Sequence, residues 1–400
     1  MQNYDILVIG GGAAGFFTAI NAAERLPDKT IAILERGKDV LNKVRISGGG
    51  RCNVTHAEFD PQQLVKNYPR GAKELLGPFH KFMTGDTVAW FEERGVELKI
   101  EEDGRMFPVT DSSQTIIDCL IGEANRLGVE VLTRQAVQDF SFHETGWEVT
   151  TKSHRFTASQ LVIGSGSNPK MWNLLRALGH TIVSPVPSLF TFDVNDSRIK
   201  ELPGISLEAT VEVSGTRLSS QGPLLITHWG LSGPAILRLS AWGARELSKL
   251  PSFQIQINWL NGASAEEVLT QLKEHKKQLA RQLVRSAAPF NLPRRLWQSL
   301  CRASEIPNEG RWADLTREQI QHLVEELTCG RYKVSRKSTY KEEFVTAGGV
   351  DLKEIDFRSF RSKIVPNLFL AGEVLNIDAI TGGFNFQNAW TGGYLIAQSL

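Results

Sequence analysis

The sequence of 400 residues contains little cysteine, no long apolar run and no excess of charge of either sign. The four cysteines are scattered and form no C-x-x-C pair, which argues against both a disulfide framework and a zinc site. They are Cys52, Cys119, Cys301 and Cys329. The eight histidines show neither H-x-x-x-H nor H-x-H spacing, so we predict no metal site. No apolar stretch approaches the roughly 20 residues of a membrane helix. A basic leader is also missing, so we expect a cytoplasmic protein.

The charges nearly cancel, with 45 lysines and arginines against 44 aspartates and glutamates. Such a balance gives no overall field that would steer the protein to nucleic acid or to an anionic membrane, although a local basic patch can lie within it. Hydrophobic residues make up 41% of the chain, which is ordinary for a globular protein. A chain of this length exceeds the usual size of one core, so we expect two or three domains.

The N-terminal region has the pattern of a strand–helix–strand unit. Residues 4–9 form a short apolar run typical of a buried parallel strand, residues 16–25 predict a helix, and residues 30–34 predict a second strand. The turn between the first strand and the helix reads G-x-G-x-x-G, and Glu35 follows the second strand. This order of elements predicts a dinucleotide site.

Each residue of this motif answers a physical requirement of dinucleotide binding. Gly10 permits a tight turn, Gly12 lets the backbone approach a pyrophosphate, and Gly15 lets the helix pack close to the strand. Free amide groups at the start of the helix then face the phosphates. Glu35 can accept hydrogen bonds from an adenosine ribose. The motif by itself does not distinguish FAD from NAD.

Three further glycine-rich segments favour FAD. Residues 47–53 give a glycine loop flanked by polar side chains, and the strand at residues 161–163 ends in small residues. Near the C-terminus, an apolar strand ends in Gly372 and Glu373, which would admit and hydrogen-bond a ribityl chain. A last helix, predicted over residues 389–400, would stabilise negative charge on a reduced flavin ring. A nucleotide motif at one end and a ribityl-type site at the other indicate a flavin fold.

The motifs resemble those of the BaiN-like family of bacterial FAD-dependent oxidoreductases, in the glutathione-reductase-type flavoprotein superfamily. The resemblance covers nearly the whole chain, and its most diagnostic parts are SGGGRCN at residues 47–53 and THWGLSGPA at residues 227–235. It implies an α/β fold: a discontinuous, three-layer Rossmann-like FAD-binding domain, an inserted β-barrel-like domain and a small helical subdomain. The predicted boundaries are 1–187 and 346–400 for the FAD-binding domain, 188–262 and 329–345 for the barrel-like domain, and 263–328 for the helical subdomain.

The motifs and the resemblance together predict a set of residues that contact FAD. They are Gly10, Gly12, Ala13, Ala14, Gly15, Glu35, Arg36, Lys43, Ser47, Gly49, Gly50, Arg51, Cys52, Asn53, Val137, Gly164, Ser165, Gly166, Gly372, Glu373, Gly383, Asn385, Phe386 and Gln387. Two positions depart from the family pattern: relatives read Ala-Thr-Gly-Gly at residues 164–167, and they often carry Asp where Asn376 stands here. For the thiol of Cys52 and for His228 we favour structural roles.

The resemblance implies redox chemistry on a small organic substrate, either reduction of a conjugated C=C bond or oxidation of an amine. Because no second G-x-G-x-x-G is present, we expect NAD(P)H to act only as a transient electron donor. We assign no catalytic residue. Two alternatives remain open: reduction of uridine within RNA, and a redox-sensing role without turnover.

Two groups of residues in the predicted insert have competing interpretations. A basic stretch with interleaved tyrosines could bind RNA, but we favour a solvated strand face. The stretch contains Arg331, Lys333, Arg336, Lys337 and Lys341. We predict that the tryptophans of the insert fill its core. They are Trp229, Trp242 and Trp259.

Overall fold

The computed structural model describes residues 2–144, 146–286, 288–338 and 345–400. Its strands in chain order, β1 to β21, are Gln2–Ile9, Ile31–Leu34, Thr55–His56, Leu98–Ile100, Arg105–Pro108, Glu130–Leu132, Val137–His143, Gly146–Thr151, Arg155–Ile163, Ile182–Ser188, Thr191–Asp193, Ser206–Val213, Ser219–Ile226, Gly230–Ser232, Phe253–Asn258, Gly330–Val334, Arg336–Ser338, Val345–Val350, Ile355–Asp356, Arg361–Ser362 and Leu368–Leu370. Its helices, α1 to α13, are Ala13–Arg25, Asn42–Gly50, Pro61–Leu64, Ala72–Phe79, Thr84–Glu92, Ser113–Arg126, Pro169–Ala177, Pro234–Trp242, Ala244–Leu247, Ala265–Gln278, Arg294–Ala303, Arg317–Cys329 and Phe384–Ala397.

The chain packs into two compact units, Met1–Val186 with Lys341–Leu400 and Pro187–Tyr340. The main sheet of the first unit has a parallel part in the order β21-β9-β1-β2-β6. Strands β2 and β6 therefore lie on one side of β1, and β9 and β21 lie on the other, so the strand order reverses at β1. Ligands of open parallel sheets bind outside the carboxyl ends of the strands at such a reversal.

Strands β1 and β2 of this sheet are apolar, and this composition accounts for their burial. The last four residues of β1 and all four of β2 are buried, as expected for parallel strands covered on both faces. Helices α1 and α13 pack against each other beside the sheet, and Phe17 of α1 contacts the ring of Trp390 at a centroid distance of 5.1 Å. Antiparallel strands β7 and β8 extend the sheet along the first half of β9.

The second unit contains a sheet of seven strands in the order β16-β15-β12-β13-β14-β11-β17. The two ends of this path, β16 and β17, are separated in the chain by Ser335 alone, so the sheet curls into a nearly closed barrel. Helices α10, α11 and α12 form a helical group in the same unit. The fold class, an α/β protein with a Rossmann-like domain and a barrel-like sheet, is confirmed. The four-part domain division stays a prediction.

Several local predictions need correction or completion. The last helix begins at Phe384, five residues before the predicted start. The predicted core tryptophans differ among themselves: Trp259 is buried, whereas Trp229 and Trp242 are 45% and 47% exposed. An apolar ring at the surface is common, because a folded protein has too few polar groups to cover itself.

The basic stretch that follows α12 lies partly on β16. Arg331 and Lys333 are exposed there, and Tyr332 between them is fully buried, which is the alternation of a half-buried strand. Lys341 lies outside the described residues.

Candidate dinucleotide site

The first glycine motif forms a tight turn between β1 and α1. Gly10 has φ +114°, and a Cβ on it would lie 2.5 Å from the carbonyl oxygen of Gly164. A Cβ on Gly15 would lie 1.9 Å from the carbonyl oxygen of Gly10. Gly12 differs, because a Cβ there would meet no atom within 4 Å. Two of the glycines therefore allow backbone contact within the protein, and Gly12 faces open space.

The start of α1 is suited to bind an anion. Gly12 is the residue before the helix, and no side chain caps it. The first-turn amides of Ala13 and Ala14 consequently point their hydrogens beyond the helix end, where the helix dipole also favours negative charge. This arrangement is what a pyrophosphate requires.

Glu35, at the end of β2, is held by two backbone amides. The amide of Gly11 donates to its Oε2 at 2.9 Å, and that of Gly37 donates to its Oε1 at 2.7 Å. The carboxylate thereby fixes the glycine turn, and each oxygen keeps a further lone pair. The amide of Gln135 donates to the carbonyl of Glu35 at 2.8 Å, so the segment that leads to the buried Val137 lies beside it. The neighbouring Arg36 is exposed.

The second glycine motif ends a helix and does not form a simple loop. Residues 42–46 of α2 are helical, and Ser47 leaves the helix with ψ 149°. Gly48, Gly49 and Gly50 then follow with φ between +57° and +88°. A Cβ on Gly48 would lie 2.9 Å from the ring of Phe107, whereas Gly49 and Gly50 face open space. The left-handed turn thus needs glycine for its backbone angles, and two glycines present bare backbone to the exterior.

Three predicted site residues after this turn bond mainly within the protein. The guanidinium of Arg51 pairs with Glu101 at 2.5 Å and with Asp111 at 3.4 Å. The side chain of Cys52 is fully buried, and burial raises the pKa of its thiol to about 12. The thiol is therefore protonated at neutral pH and packed within the protein. Asn53 is also buried, with 8% exposure.

The carboxyl ends of β9 and β21 complete the site. Gly164, Ser165 and Gly166 follow β9, and Gly372 and Glu373 follow β21. A Cβ on Gly166 would lie 3.6 Å from Oε2 of Glu373, so these two strand ends meet. The hydroxyl of Ser165 is buried and has no hydrogen-bond partner among the described residues. A buried hydroxyl of this kind normally has a partner, and a bound cofactor would supply one.

The N-terminal and C-terminal motifs come together in space. Gly372 has φ +76°, and a Cβ on it would lie 3.4 Å from Cβ of Ala14 in the first turn of α1. Lys43 of α2 forms an ion pair with Glu373. The structure therefore brings predicted residues from three distant segments to one edge of the sheet. These features suit FAD, although contact of each residue with FAD stays a prediction.

The early start of α13 changes the roles of the last predicted residues. Gly383 precedes the helix with φ +92°, and Asn385 in the first turn exchanges hydrogen bonds with the backbone of Ala379 at 3.0 and 3.2 Å. Phe386 stacks on Trp390. Gln387 is fully buried, and its amide oxygen accepts hydrogen bonds from Thr55 and Thr87 at 2.6 and 3.0 Å.

His56 was not among the predicted residues. Its Nδ1 lies 3.1 Å from the carbonyl oxygen of Gly382, and its ring contacts that of Phe384 at 4.5 Å. Since a carbonyl only accepts, Nδ1 carries the proton and Nε2 is an acceptor. Burial lowers the pKa of His56, although the bond to Gly382 acts in the opposite direction. The sequence signal that could have identified His56 is its place on the strand that follows the SGGGRCN motif.

Ser362, His180 and Glu354 of the first unit have the connectivity of a hydrolase triad. Nε2 of His180 lies 3.0 Å from the hydroxyl of Ser362, and Nδ1 lies 2.8 Å from Glu354. The oxygen of Ser362 also accepts hydrogen bonds from the backbone amides of Ile364 and Val365, both at 3.0 Å. Its own hydrogen therefore points to Nε2, and Nδ1 donates to the carboxylate. His180 and Ser362 are only 2% and 6% exposed, so this group is structural.

This buried group should make the stability of the protein depend on pH. Partial burial acts to raise the pKa of Glu354, but hydrogen bonds from Thr181 and His180 outweigh it and hold the pKa below its ordinary value. A lowered folded-state pKa stabilises the fold above the unfolded-state pKa, and this contribution is lost as the pH falls through the folded-state value. We expect Glu354→Gln to cost about 1.5–3 kcal/mol near pH 7. The difference from wild type in thermal melts should shrink on acidification. A constant difference down to about pH 3.5 would contradict this account.

Within the described residues, no helix is long and apolar enough to cross a membrane, and no cluster of three or more metal-ligating side chains occurs.

Comparison with known proteins places these features in a family. Residues 4–399 match the family described as HI0933-like protein Rossmann domain. The chain is 28% identical over 411 residues to the ribosomal RNA dihydrouridine synthase of Escherichia coli K12, covering 100% of this chain and 98% of the relative. It is 25% identical over 403 residues to the 3-dehydro-bile acid delta(4,6)-reductase of Clostridium scindens, covering 98% of both.

Solved structures show the same fold at lower identity. The chain aligns with the 3-ketosteroid-delta4-(5alpha)-dehydrogenase of Rhodococcus jostii RHA1 with a TM-score of 0.51 and 13% identity, over 99% of this chain and 97% of the other. The match to the family model and the full-length similarity to the Clostridium reductase agree with the sequence motifs. The chain belongs to the HI0933-like Rossmann family of FAD-binding oxidoreductases.

Proposed function

We propose that the protein is an FAD-dependent reductase of a C=C bond conjugated to a carbonyl group, and that its substrate is uridine in RNA. The observation that carries the flavin part is the meeting of the first glycine turn with the carboxyl ends of β2 and β21. The amide of Gly11 donates to Glu35, and a Cβ on Gly372 would lie 3.4 Å from Cβ of Ala14. The reaction class rests on the two relatives. Dihydrouridine forms by adding two hydrogens across a double bond conjugated to a carbonyl, and a Δ4,6 double bond beside a 3-oxo group has the same conjugation.

The residues of the candidate dinucleotide site, which we call the cradle, would each hold a different part of FAD. The uncapped start of α1 would bind the pyrophosphate, and the carboxylate of Glu35, fixed by two amides, would accept ribose hydroxyls. The bare backbone at Gly49 and Gly50 would lie against the ligand, and Ser165 would gain a hydrogen-bond partner. When bound, FAD supplies the two-electron redox chemistry.

His56 would bind or orient the substrate. Its Nδ1 proton is committed to Gly382, and the lowered pKa keeps the ring neutral at neutral pH. Nε2 can then accept a hydrogen bond from a substrate N–H or O–H group. The adjacent Phe384 restricts the orientation of the ring.

RNA is favoured over a small molecule for two reasons. The bacterial relative at 28% identity that spans the whole chain carries the name of an RNA-modifying enzyme. In addition, the near-neutral chain contains a long basic segment, residues 273–302, with eight lysines and arginines against one glutamate. The basic stretch noted in the sequence, at residues 331–341, is shorter, and its first part lies on strand β16.

The test is anaerobic turnover by the FAD-loaded protein with NADPH as donor. One reaction contains ribosomal RNA transcribed in vitro and hence free of modifications, and a parallel reaction contains a Δ4,6-3-oxo steroid. We expect mass spectrometry of RNA digests to show uridine that has gained two hydrogens. Reduction of the steroid alone would overturn RNA as the substrate. If neither is reduced and NADPH fails to bleach the flavin, the reductase proposal as a whole is wrong.

A further inference from the structure

The second unit contains a concentration of positive charge that the overall composition conceals. Residues 273–302, which we call the basic segment, hold eight of the basic residues and one acidic residue; the rest of the chain holds 37 basic and 43 acidic residues. The segment includes the end of α10, the following turns and most of α11. A local field of one sign attracts a polyanion even when the net charge of the whole protein is near zero.

The helices of the basic segment direct their cations to solvent. On α10, Lys273 and Lys277 are exposed one turn apart, while Leu272 is buried. On α11, Arg294 and Arg302 are exposed, while the opposite face of the helix is buried. In the described parts of the chain these four cations form no ion pair with a carboxylate. Arg198 of the same unit, by contrast, pairs with Asp196 and Glu326.

Helix α11 is joined by hydrogen bonds to the turn that follows α10. The indole of Trp297 on α11 donates to the carbonyl oxygen of Val284 at 2.8 Å, which ties α11 to the turn that follows α10. The amide of Gln298 reaches the carbonyl of Arg285 at 3.4 Å. The basic segment is therefore connected by side-chain hydrogen bonds as well as by the chain, and its exposed cations are available to phosphate groups.

A cavity of about 440 Å³ adjoins the basic segment. Its lining includes the half-buried ring of Phe290 and amide and carboxylate side chains beside aliphatic ones, and Trp259 there is buried. The polar side chains are those of Asn261, Gln271, Asn291 and Glu208. Aromatic faces stack on nucleobases, and amides hydrogen-bond to base edges. The cavity thus offers both kinds of contact by which proteins bind an unstacked base.

The rim of this cavity has an unusual backbone. Phe290 and Asn291 are consecutive residues with φ +66° and +54°, and Asn261 on the lining has φ +56°. A left-handed conformation is uncommon for a residue as bulky as phenylalanine. Such conformations persist only where the surroundings impose them, and they cluster at binding sites. The backbone conformation of the rim is therefore a second indication of a binding site, separate from the positive charge of the basic segment.

We propose that this part of the second unit is an RNA-binding site, in which the cavity receives an unstacked base and the basic segment binds the flanking phosphates. The inference rests on the proposed function for the choice of RNA. It assigns single-stranded RNA as the ligand, because a base can enter the cavity only when it is unpaired and unstacked.

The phosphate contacts are tested by a charge-removing variant, Lys273→Gln with Lys277→Gln and Arg302→Gln. A short uridine-rich RNA labelled with fluorescein is titrated with the full-length holoprotein at several KCl concentrations. We expect affinity to fall by about tenfold and the slope of log affinity against log salt to decrease by about 2, since each phosphate contact to a single strand contributes about 0.7. The matched control replaces the exposed Lys152, Lys200 and Lys249 with Gln and should bind like wild type.

The base contact is tested by Phe290→Ala. We expect affinity for the same RNA to fall by about tenfold with the salt slope unchanged, since stacking is worth about 1–3 kcal/mol per base. Phe290→Tyr, which keeps the ring, should restore binding. Phe59→Ala removes a ring that is 57% exposed in the first unit and serves as the control.

The outcomes separate this site from the proposed function. The residues predicted to contact FAD lie in the first unit, so flavin content should be unchanged in all these variants. Wild-type RNA binding by the variants, or equal losses in the controls, would overturn the site. RNA that binds as described but gains no hydrogen would overturn uridine reduction and leave the binding site supported.

Discussion

The Gly12→Val variant is expected to purify as a folded protein without flavin. A Cβ at this position would meet no protein atom within 4 Å, and the φ of −100° suits any residue, so the fold has no reason to fail. The added side chain would instead occupy the space in front of the first turn of α1, where we place the pyrophosphate. Absorbance near the flavin bands, normalised to protein, measures the loss, and circular dichroism checks the fold.

The matched control for this variant is Gly122→Ala. Gly122 lies inside α6 and also has open space around its Cβ position. Alanine there should retain flavin and stabilise the helix by up to about 1 kcal/mol. If Gly12→Val keeps a full complement of FAD, the cradle is not the cofactor site. Gly15→Ala should behave differently from both, because its Cβ would collide with backbone and destabilise the fold itself.

Arg70→Met should destabilise the first unit by about 3–5 kcal/mol. Arg70 makes a bidentate ion pair with Asp378, whose side chain is fully buried, while that of Arg70 is 14% exposed. Removal of the cation leaves a buried carboxylate without its main counter-charge. For a unit of this size, we expect the thermal midpoint to fall by roughly 10 °C.

A double variant separates loss of the pair from loss of packing. Arg70→Met with Asp378→Asn removes both charges, so it should recover part of the lost stability. An additive or larger loss would show that packing around Arg70, and not the uncompensated charge, accounts for the effect. Lys29 forms a more exposed pair with Asp5, and Lys29→Met should change the midpoint only slightly.

The sequence was most informative where backbone geometry dictates residue type. Gly10 and Gly15 could be assigned to close backbone contacts because only glycine tolerates them, and the structure shows both contacts. Glu35 could be placed at the end of β2, but its bonds to the amides of Gly11 and Gly37 depend on how the turn folds back. The direct contacts of these residues with FAD stay predictions.

The start of α13 and the contacts of His56 depend on tertiary packing, and the local sequence pattern could not predict them. The first turn of α13 contains phenylalanine and asparagine, which are weak helix formers, so the helix was expected to begin later. Its start is fixed by distant residues: Gly383 packs on Thr55, and the hydroxyl of Tyr68 donates to the carbonyl of Phe384. His56 was missed for the same reason, because its partner Gly382 is more than 300 residues away in the chain.

The position of β21 in the sheet has a consequence for the order of folding. The last three residues of β9 pair with β21, whose first residue, Leu368, follows Ile163 by some two hundred residues. During synthesis the first unit therefore lacks one side of its sheet until the second unit, Pro187–Tyr340, has already emerged. Contacts of such long range form slowly. Glu373, a predicted FAD contact, lies just beyond β21, so we expect tight cofactor capture to be a late event.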